Sequence, residues 1–328
     1  MISKKILKYI ILVSLSILAG IFIGRFFPGN KNKVSDKKQD SFQIRAQGYT
    51  YINPLLDCDN YNHSAIRSLN KAKNELKVYI DSIFDGKNVL DISVYLRILN
   101  DGPWIGINEN ANYTPASLLK VPMMIACYKK AESEPDFLKK KIQYTHFNST
   151  YVQTILDTNM LKVGEYYTIE KLIEKMVIFS DNASLELIAD KIGDDFFFQV
   201  MDDNGVDIKN LATQNDYISV RQYSSFFRML YNSTYLTKQY SERCLEILSK
   251  SHYPMGIPRF LPKDVLVSHK FGEVGTVDSY VKQLHDCGIV YRKNSPYLIC
   301  IMTKGHDFNY LSERMADISK IIYKNLNE

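Results

Sequence analysis

Tyr113-Thr114-Pro115-Ala116-Ser117-Leu118-Leu119-Lys120-Val121-Pro122-Met123-Met124-Ile125-Ala126-Cys127 decides how the rest of the chain is read. A polar loop gives way here to an apolar run, so Ser117 stands near the start of a helix. Residues three apart share a helix face, which brings the Lys120 amine within reach of the Ser117 hydroxyl. A serine hydroxyl is a poor nucleophile near neutral pH and needs a neighbouring base. Lysine serves as that base only when burial or nearby cations lower its pKa. Helix N-terminal N–H groups beside the serine would favour the oxyanion formed on attack. Pro122 removes a helix hydrogen bond, but close to the first turn the damage is limited. Alone, S-x-x-K carries little weight, because it recurs at Ser35–Lys38, Ser68–Lys71 and Ser279–Lys282.

Two further motifs change the balance. Ser180-Asp181-Asn182 ends the amphipathic segment 167–179 and opens another at 183–192. A serine capping a helix explains that triplet without any chemistry. Capping does not explain Lys270-Phe271-Gly272, which closes the strand-like run from Val265 to His269. K-x-G also occurs at Lys162 and Lys191, but only the copy at Lys270 ends a strand, where a glycine lets a ligand approach the backbone.

S-x-x-K, then S-D-N, then K-x-G on a strand, in that order, resembles the signature of class A β-lactamases and penicillin-binding proteins. Flanking text agrees: Tyr113-x-x-Ala-Ser117, His285-Asp-Cys-Gly-Ile-Val-Tyr291 and Ile301-Met-Thr-Lys-Gly305. The resemblance spans residues 62–328 and implies an α+β fold. A five-stranded antiparallel sheet flanked by helices would carry an all-helical subdomain inserted at 116–255, with the active site in the cleft between them. It implies that Ser117 attacks a carbonyl and becomes acylated, that Lys120 takes its proton, and that Ser180 relays a proton to the departing nitrogen. Asn182 would bind the substrate amide and steady Lys120, and Lys270 would supply positive charge near the substrate carboxylate. The backbone N–H groups of Ser117 and of Glu273, after Gly272, would form the oxyanion hole. The implied partners are a small β-lactam or a D-Ala-D-Ala peptide, with no cofactor and no metal.

The sequence departs from that pattern twice. Class A β-lactamases deacylate with a glutamate in an E-x-x-L-N motif, and here no glutamate lies between Glu186 and Glu242. Asp216 is the acid to test as a replacement, against its plainer reading as a turn or cap residue. Losing a general base typically costs about 10²–10⁴ in the step it serves. Acylation should therefore outlast hydrolysis, as in a penicillin-binding D,D-carboxypeptidase or endopeptidase. The second departure is Phe271, where the family carries Thr or Ser to help hold the substrate carboxylate; Arg259 and Arg292 are the cations nearby in sequence. A non-catalytic wall-binding or sensor domain is the rival reading from another class, disfavoured because every motif residue is intact.

Outside the motifs, residues 1–38 hold eight Lys and Arg against one acid, Asp36, within a chain of net charge +5. The remainder is slightly acidic, which removes the basic face that nucleic acid would need. Lys4, Lys5 and Lys8 precede an apolar run from Tyr9 to Gly24, followed by Arg25. That pattern fits a signal peptide or a short membrane anchor. The absence of a small-x-small cleavage site favours a retained anchor over residues 1–28. A polar linker over 29–61 would then lead to a monomeric catalytic domain outside the cytoplasm, secreted if the segment is cleaved. Apolar spacing predicts a helix from Asn62 to about Ile83, strands at 89–99, 104–107, 265–270, 283–291 and 296–303, and a closing helix over 307–326. The five cysteines lack C-x-x-C spacing and the six histidines lack metal-ligand pairing. If Lys293-Asn294 turns the last hairpin, Cys287 and Cys300 fall opposite each other.

Overall fold

The structure, a computed structural model, describes residues 42–45, 48–59, 63–86, 88–100, 102–145, 154–155, 161–206, 216–276, 278–293 and 295–326. The expected anchor at 1–28 lies outside the described residues, as does the linker up to 41. Among the described residues no helix is long and apolar enough to cross a membrane.

In chain order, β1 (Phe42–Arg45) pairs antiparallel with β2 (Leu55–Asp59), and α1 (His63–Ile83) follows. Next come β3 (Val89–Ile98), β4 (Trp104–Ile107) and the two-residue β5 (Asn112–Tyr113). A mostly helical stretch then holds α2 (Lys120–Ser133), the hairpin β6 (Lys141–Gln143) and β7 (Tyr166–Thr168), α3 (Ile169–Ile178), α4 (Asn182–Ile192) and α5 (Asp194–Asp203). β8 (Ile218–Ser219), α6 (Val220–Asn232) and α7 (Lys238–Ser249) complete it. The chain finishes with β9 (Leu266–Val274), β10 (Lys282–Tyr291), β11 (Tyr297–Gly305) and α8 (Phe308–Asn325).

β3, β4, β9, β10 and β11 form one antiparallel sheet in the order β4-β3-β11-β10-β9, so both chain ends complete it. Alternating side chains separate two cores, as a pleated strand buried on both faces requires. Tyr95, Ile289, Leu298 and Met302 join the helices of the 116–255 region, whereas Val94, Leu284, Ile299 and Ile301 pack with α1 and α8. The fold is therefore α+β, built on one five-stranded antiparallel sheet. Cys287 and Cys300 are register partners and form a disulfide, while Cys127 and Cys244 are buried free thiols in the helical core.

Local chemistry explains where helices begin. Thr168 caps α3 by accepting the Lys171 N–H, Asp307 caps α8 at Tyr310, and Ser219 with Gln222 forms a reciprocal capping box on α6. Residues 50–54 are not the bare linker expected. Glu242 draws in the N–H groups of Thr50, Tyr51 and Ile52, and Ile52 itself is buried.

Candidate active site

Ser117 lies in a single 3₁₀ turn, Ala116–Leu119, that runs directly into α2. Ala116 holds φ at +48°, a left-handed conformation that a residue with a side chain adopts only where its surroundings impose it. Those surroundings come from distant parts of the chain. The Thr114 N–H donates to Gln283 Oε1 at 3.1 Å, His285 Nε2 donates to the Thr114 carbonyl at 3.0 Å, and the Tyr223 hydroxyl donates to the Leu118 carbonyl at 2.8 Å. Burial pushes the His285 pKa down to about 4, so the ring is neutral. Its Nδ1 accepts the Thr303 N–H at 3.3 Å, which fixes the tautomer that donates to Thr114.

Lys120 opens α2 and is buried to 1 % exposure. Its Nζ donates to Asn182 Oδ1 at 2.6 Å, to Ser180 Oγ at 3.1 Å and to the Ser180 carbonyl. Burial lowers its pKa to about 7, with the carboxylates of Asp181 and Glu273 opposing the shift. Lys270 reaches the same hydroxyl from the sheet, donating to Ser180 Oγ at 2.9 Å. Its pKa is lowered too, by burial first and then by the charge of Lys120. Two cations on one buried hydroxyl repel each other, so near neutral pH the pair does not hold both protons. An unprotonated amine is therefore favoured beside the Ser180 hydroxyl.

Ser180 is not the helix cap that its sequence context allows. Asp181 caps α4, accepting the Ser184 N–H at 2.6 Å, and Ser180 precedes it at φ +60°. Capping by its neighbour leaves the Ser180 hydroxyl to the two lysines. Lys270 sits within β9 rather than at its end, since the strand continues through Gly272 and Glu273 to Val274. Gly272 is the close approach: a Cβ there would stand 2.9 Å from the Pro115 carbonyl oxygen and 3.1 Å from the Leu118 nitrogen. Only glycine lets β9 lie this near the turn carrying Ser117. Ser117 in its turn, Lys120 on α2, Ser180 just before α4, Asn182 on α4, and Lys270, Gly272 and Glu273 on β9 thus gather along one edge strand of the sheet.

Asp216 lies against the anchors of the serine turn, the Phe271 ring lies 4.2 Å from Lys270 Nζ, and the two arginines make their contacts away from both. Asp216 accepts from Thr114 Oγ1 at 2.8 Å and Gln283 Nε2 at 2.9 Å, and pairs with Lys304 at 2.7 Å. Its burial favours a raised pKa, but these three donors hold it below the usual carboxylate range, which suits a tether rather than a base. Phe271 is fully buried and stacks on Tyr253 at 4.3 Å. Arg292 donates to the Leu326 carbonyl, and Arg259 lies over the Phe260 ring. Tyr223, Gln283 and the Glu273 side chain are the parts of this site that the motifs did not announce.

A serine in a strained turn, a buried amine of lowered pKa, and a hydroxyl bridging two lysines define a serine hydrolase of the β-lactamase and penicillin-binding kind. Residues 74–326 match the sequence model of the Beta-lactamase enzyme family, so the chain belongs to that family. Among curated proteins, none matches the sequence. Among solved structures, the TLA-3 extended-spectrum β-lactamase superposes with a TM-score of 0.69 at 16% identity, covering 79% of this chain and 100% of that one. A class A β-lactamase from Bacteroides cellulosilyticus gives 0.67 at 18% identity, covering 78% of this chain and 98% of its own. PBP-A gives 0.64 at 19% identity, over 77% of this chain and 96% of that one. A substituted PBP-A has been solved as an acyl-enzyme with penicillin G. At these identities the likeness is one of fold.

Proposed function

We propose that the protein is a serine acyl-enzyme hydrolase that opens β-lactam amides on Ser117 and releases the acyl group slowly. The observation carrying this reading is the Lys120–Ser180–Lys270 hydrogen-bonded chain, buried beside the serine turn. In this reading neutral Lys120 takes the Ser117 proton as the hydroxyl attacks the carbonyl. The Ser117 and Glu273 N–H groups receive the developing oxyanion. Ser180 passes a proton to the departing nitrogen, drawing on the lysine that keeps its charge. Asn182, already bonded to Lys120, binds the substrate amide.

Slow release rests on the sequence, which has no glutamate between Glu186 and Glu242, and on Asp216, whose carboxylate Lys304 occupies. That same pairing favours a second reading, a D,D-peptidase acting on cell-wall peptides that β-lactams trap. The N-terminal apolar run supports tethering to a membrane with the catalytic part outside the cytoplasm. Mixing the purified protein with penicillin G and following intact mass over hours tests the proposal. A persistent adduct that is absent from Ser117→Ala is expected. Rapid turnover with drug consumption would show that hydrolysis has a base after all. No adduct would favour a binding domain and overturn the assignment.

A further inference from the structure

Lys120 and Lys270 compete for a proton, and the hydrogen bonds around them do not choose between them. Ser180 Oγ meets both amines, at 3.1 Å from Lys120 and 2.9 Å from Lys270. The Phe271 carbonyl takes a further N–H of Lys270 at 2.8 Å, while Asn182 Oδ1 and the Ser180 carbonyl take two from Lys120. Whichever amine is neutral can accept the Ser180 hydroxyl proton on its lone pair, so these bonds are satisfied in either arrangement. The carboxylates pull both ways. Asp181 favours a proton on Lys120, Asp286 on β10 favours one on Lys270, and Glu273 attracts both. Both amines are out of solvent, so burial does not separate them either.

The Phe271 ring is the partner that only one of them has. Lys270 Nζ stands over its face, 4.2 Å from the centroid, and among the described residues no ring lies this way against Lys120. An aromatic face carries negative charge, so it attracts an ammonium far more than a neutral amine, and most where water is excluded. The ring is also held in place. Tyr253 stacks on it, with centroids 4.3 Å apart and planes 23° apart. Ser312 Oγ on α8 donates to the Met255 carbonyl at 2.9 Å, which leaves it to accept the Tyr253 hydroxyl at 3.0 Å and fix the stack. We propose that Phe271 is a positioning residue, whose ring keeps the shared proton on Lys270 and so leaves Lys120 as the unprotonated amine one turn from Ser117. The catalytic consequence rests on the reading of Ser117 as the acylated residue. In this role Phe271 acts through the charge of Lys270 and not through the substrate.

Fluorinated phenylalanines at position 271 weaken the negative face stepwise at almost constant shape, so packing on Tyr253 is kept. Carbon-13 NMR of the lysine Cε atoms, assigned by the signals that Lys120→Arg and Lys270→Arg remove, reads which amine loses its proton first without any acylation. Lys270 should stay an ammonium through the pH range in which Lys120 titrates. Its own titration should fall by about one pH unit on going to the trifluorinated ring, the size of a water-excluded cation–π contact. In the pH profile of acylation by penicillin G, the rise through neutrality should stay in place while the alkaline fall moves down by the same amount. Phe271→Leu, which keeps the bulk but lacks the face, should repeat both changes. A Lys270 that titrates before Lys120, or one indifferent to fluorination, overturns the proposal. Titrations that move beside an unmoved rate profile overturn the ring's part in catalysis. A wild type that never labels would sink the acyl-enzyme reading, whereas the NMR titration would still judge the ring by itself.

Discussion

Lys120 is the side chain on which the chemistry turns, because it stands one helical turn from Ser117 and burial disfavours its ammonium form. Its pKa of about 7 follows from burial, and protonation silences a base, so acylation should climb as pH rises through neutrality. Stability follows the same sign: the unfolded chain binds the Lys120 proton more tightly, so this group favours folding as pH rises from about 7 towards the ordinary lysine value of about 10.4. Replacing Lys120 by Met should cost about 10²–10⁴ in the acylation rate measured by stopped flow. Retention of the neutral rise in that variant would assign the titration to another group. The Ser117–Lys120 spacing was legible because a helix face needs only local geometry. Ser180 was half legible: the helix start was right, but Asp181, not Ser180, provides the cap, because its carboxylate reaches the Ser184 N–H. The anchors of the serine turn were not legible at all. Gln283 and His285 meet Thr114 across 169 and 171 residues of sequence, a closeness set by the packing of the serine turn against β10.

The elements position what the residues perform. Removing the α4 cap with Asp181→Ala should lower stability by about 1 kcal/mol, read in denaturant titration, because a helix N–H loses its acceptor. Acylation should fall as well, since Ser180 immediately precedes the cap that fixes the start of α4. Gly272→Val places a side chain where β9 meets the Pro115 carbonyl, so it should reduce acylation strongly while the two cores stay intact. Full activity in that variant would show that β9 need not lie against the serine turn. Strands β3, β10 and β11 could be read from apolar runs, since both faces of this sheet are covered. β9 ran on past its apolar stretch because Lys270 and Glu273 occupy strand positions for the site's sake. β1 and β2 escaped because they are short and pair only with each other, and the segment between them because its partner, Glu242, is distant in sequence.

Across the protein, the sheet and the helical region supply different parts of one hydrogen-bonded chain. Lys120 and Asn182 arrive on helices, Lys270 on the outer strand, and Ser180 joins them. The Cys287–Cys300 disulfide links β10 to β11 at the register level of Lys270. Closing a loop of this length stabilises a fold by about 3 kcal/mol in the chain-entropy account, so reduction should shift thermal unfolding downward. An unchanged midpoint would leave the bridge without a stabilising role. Everything proposed for function depends on the buried amines making one particular serine reactive. Peptide mapping of protein labelled by penicillin G, with the labelling rate followed across the neutral pH range, tests that dependence most directly. The expectation is a single acylated residue, Ser117, labelled faster as pH rises through about 7. Label on any other side chain, or a rate indifferent to pH, would contradict it.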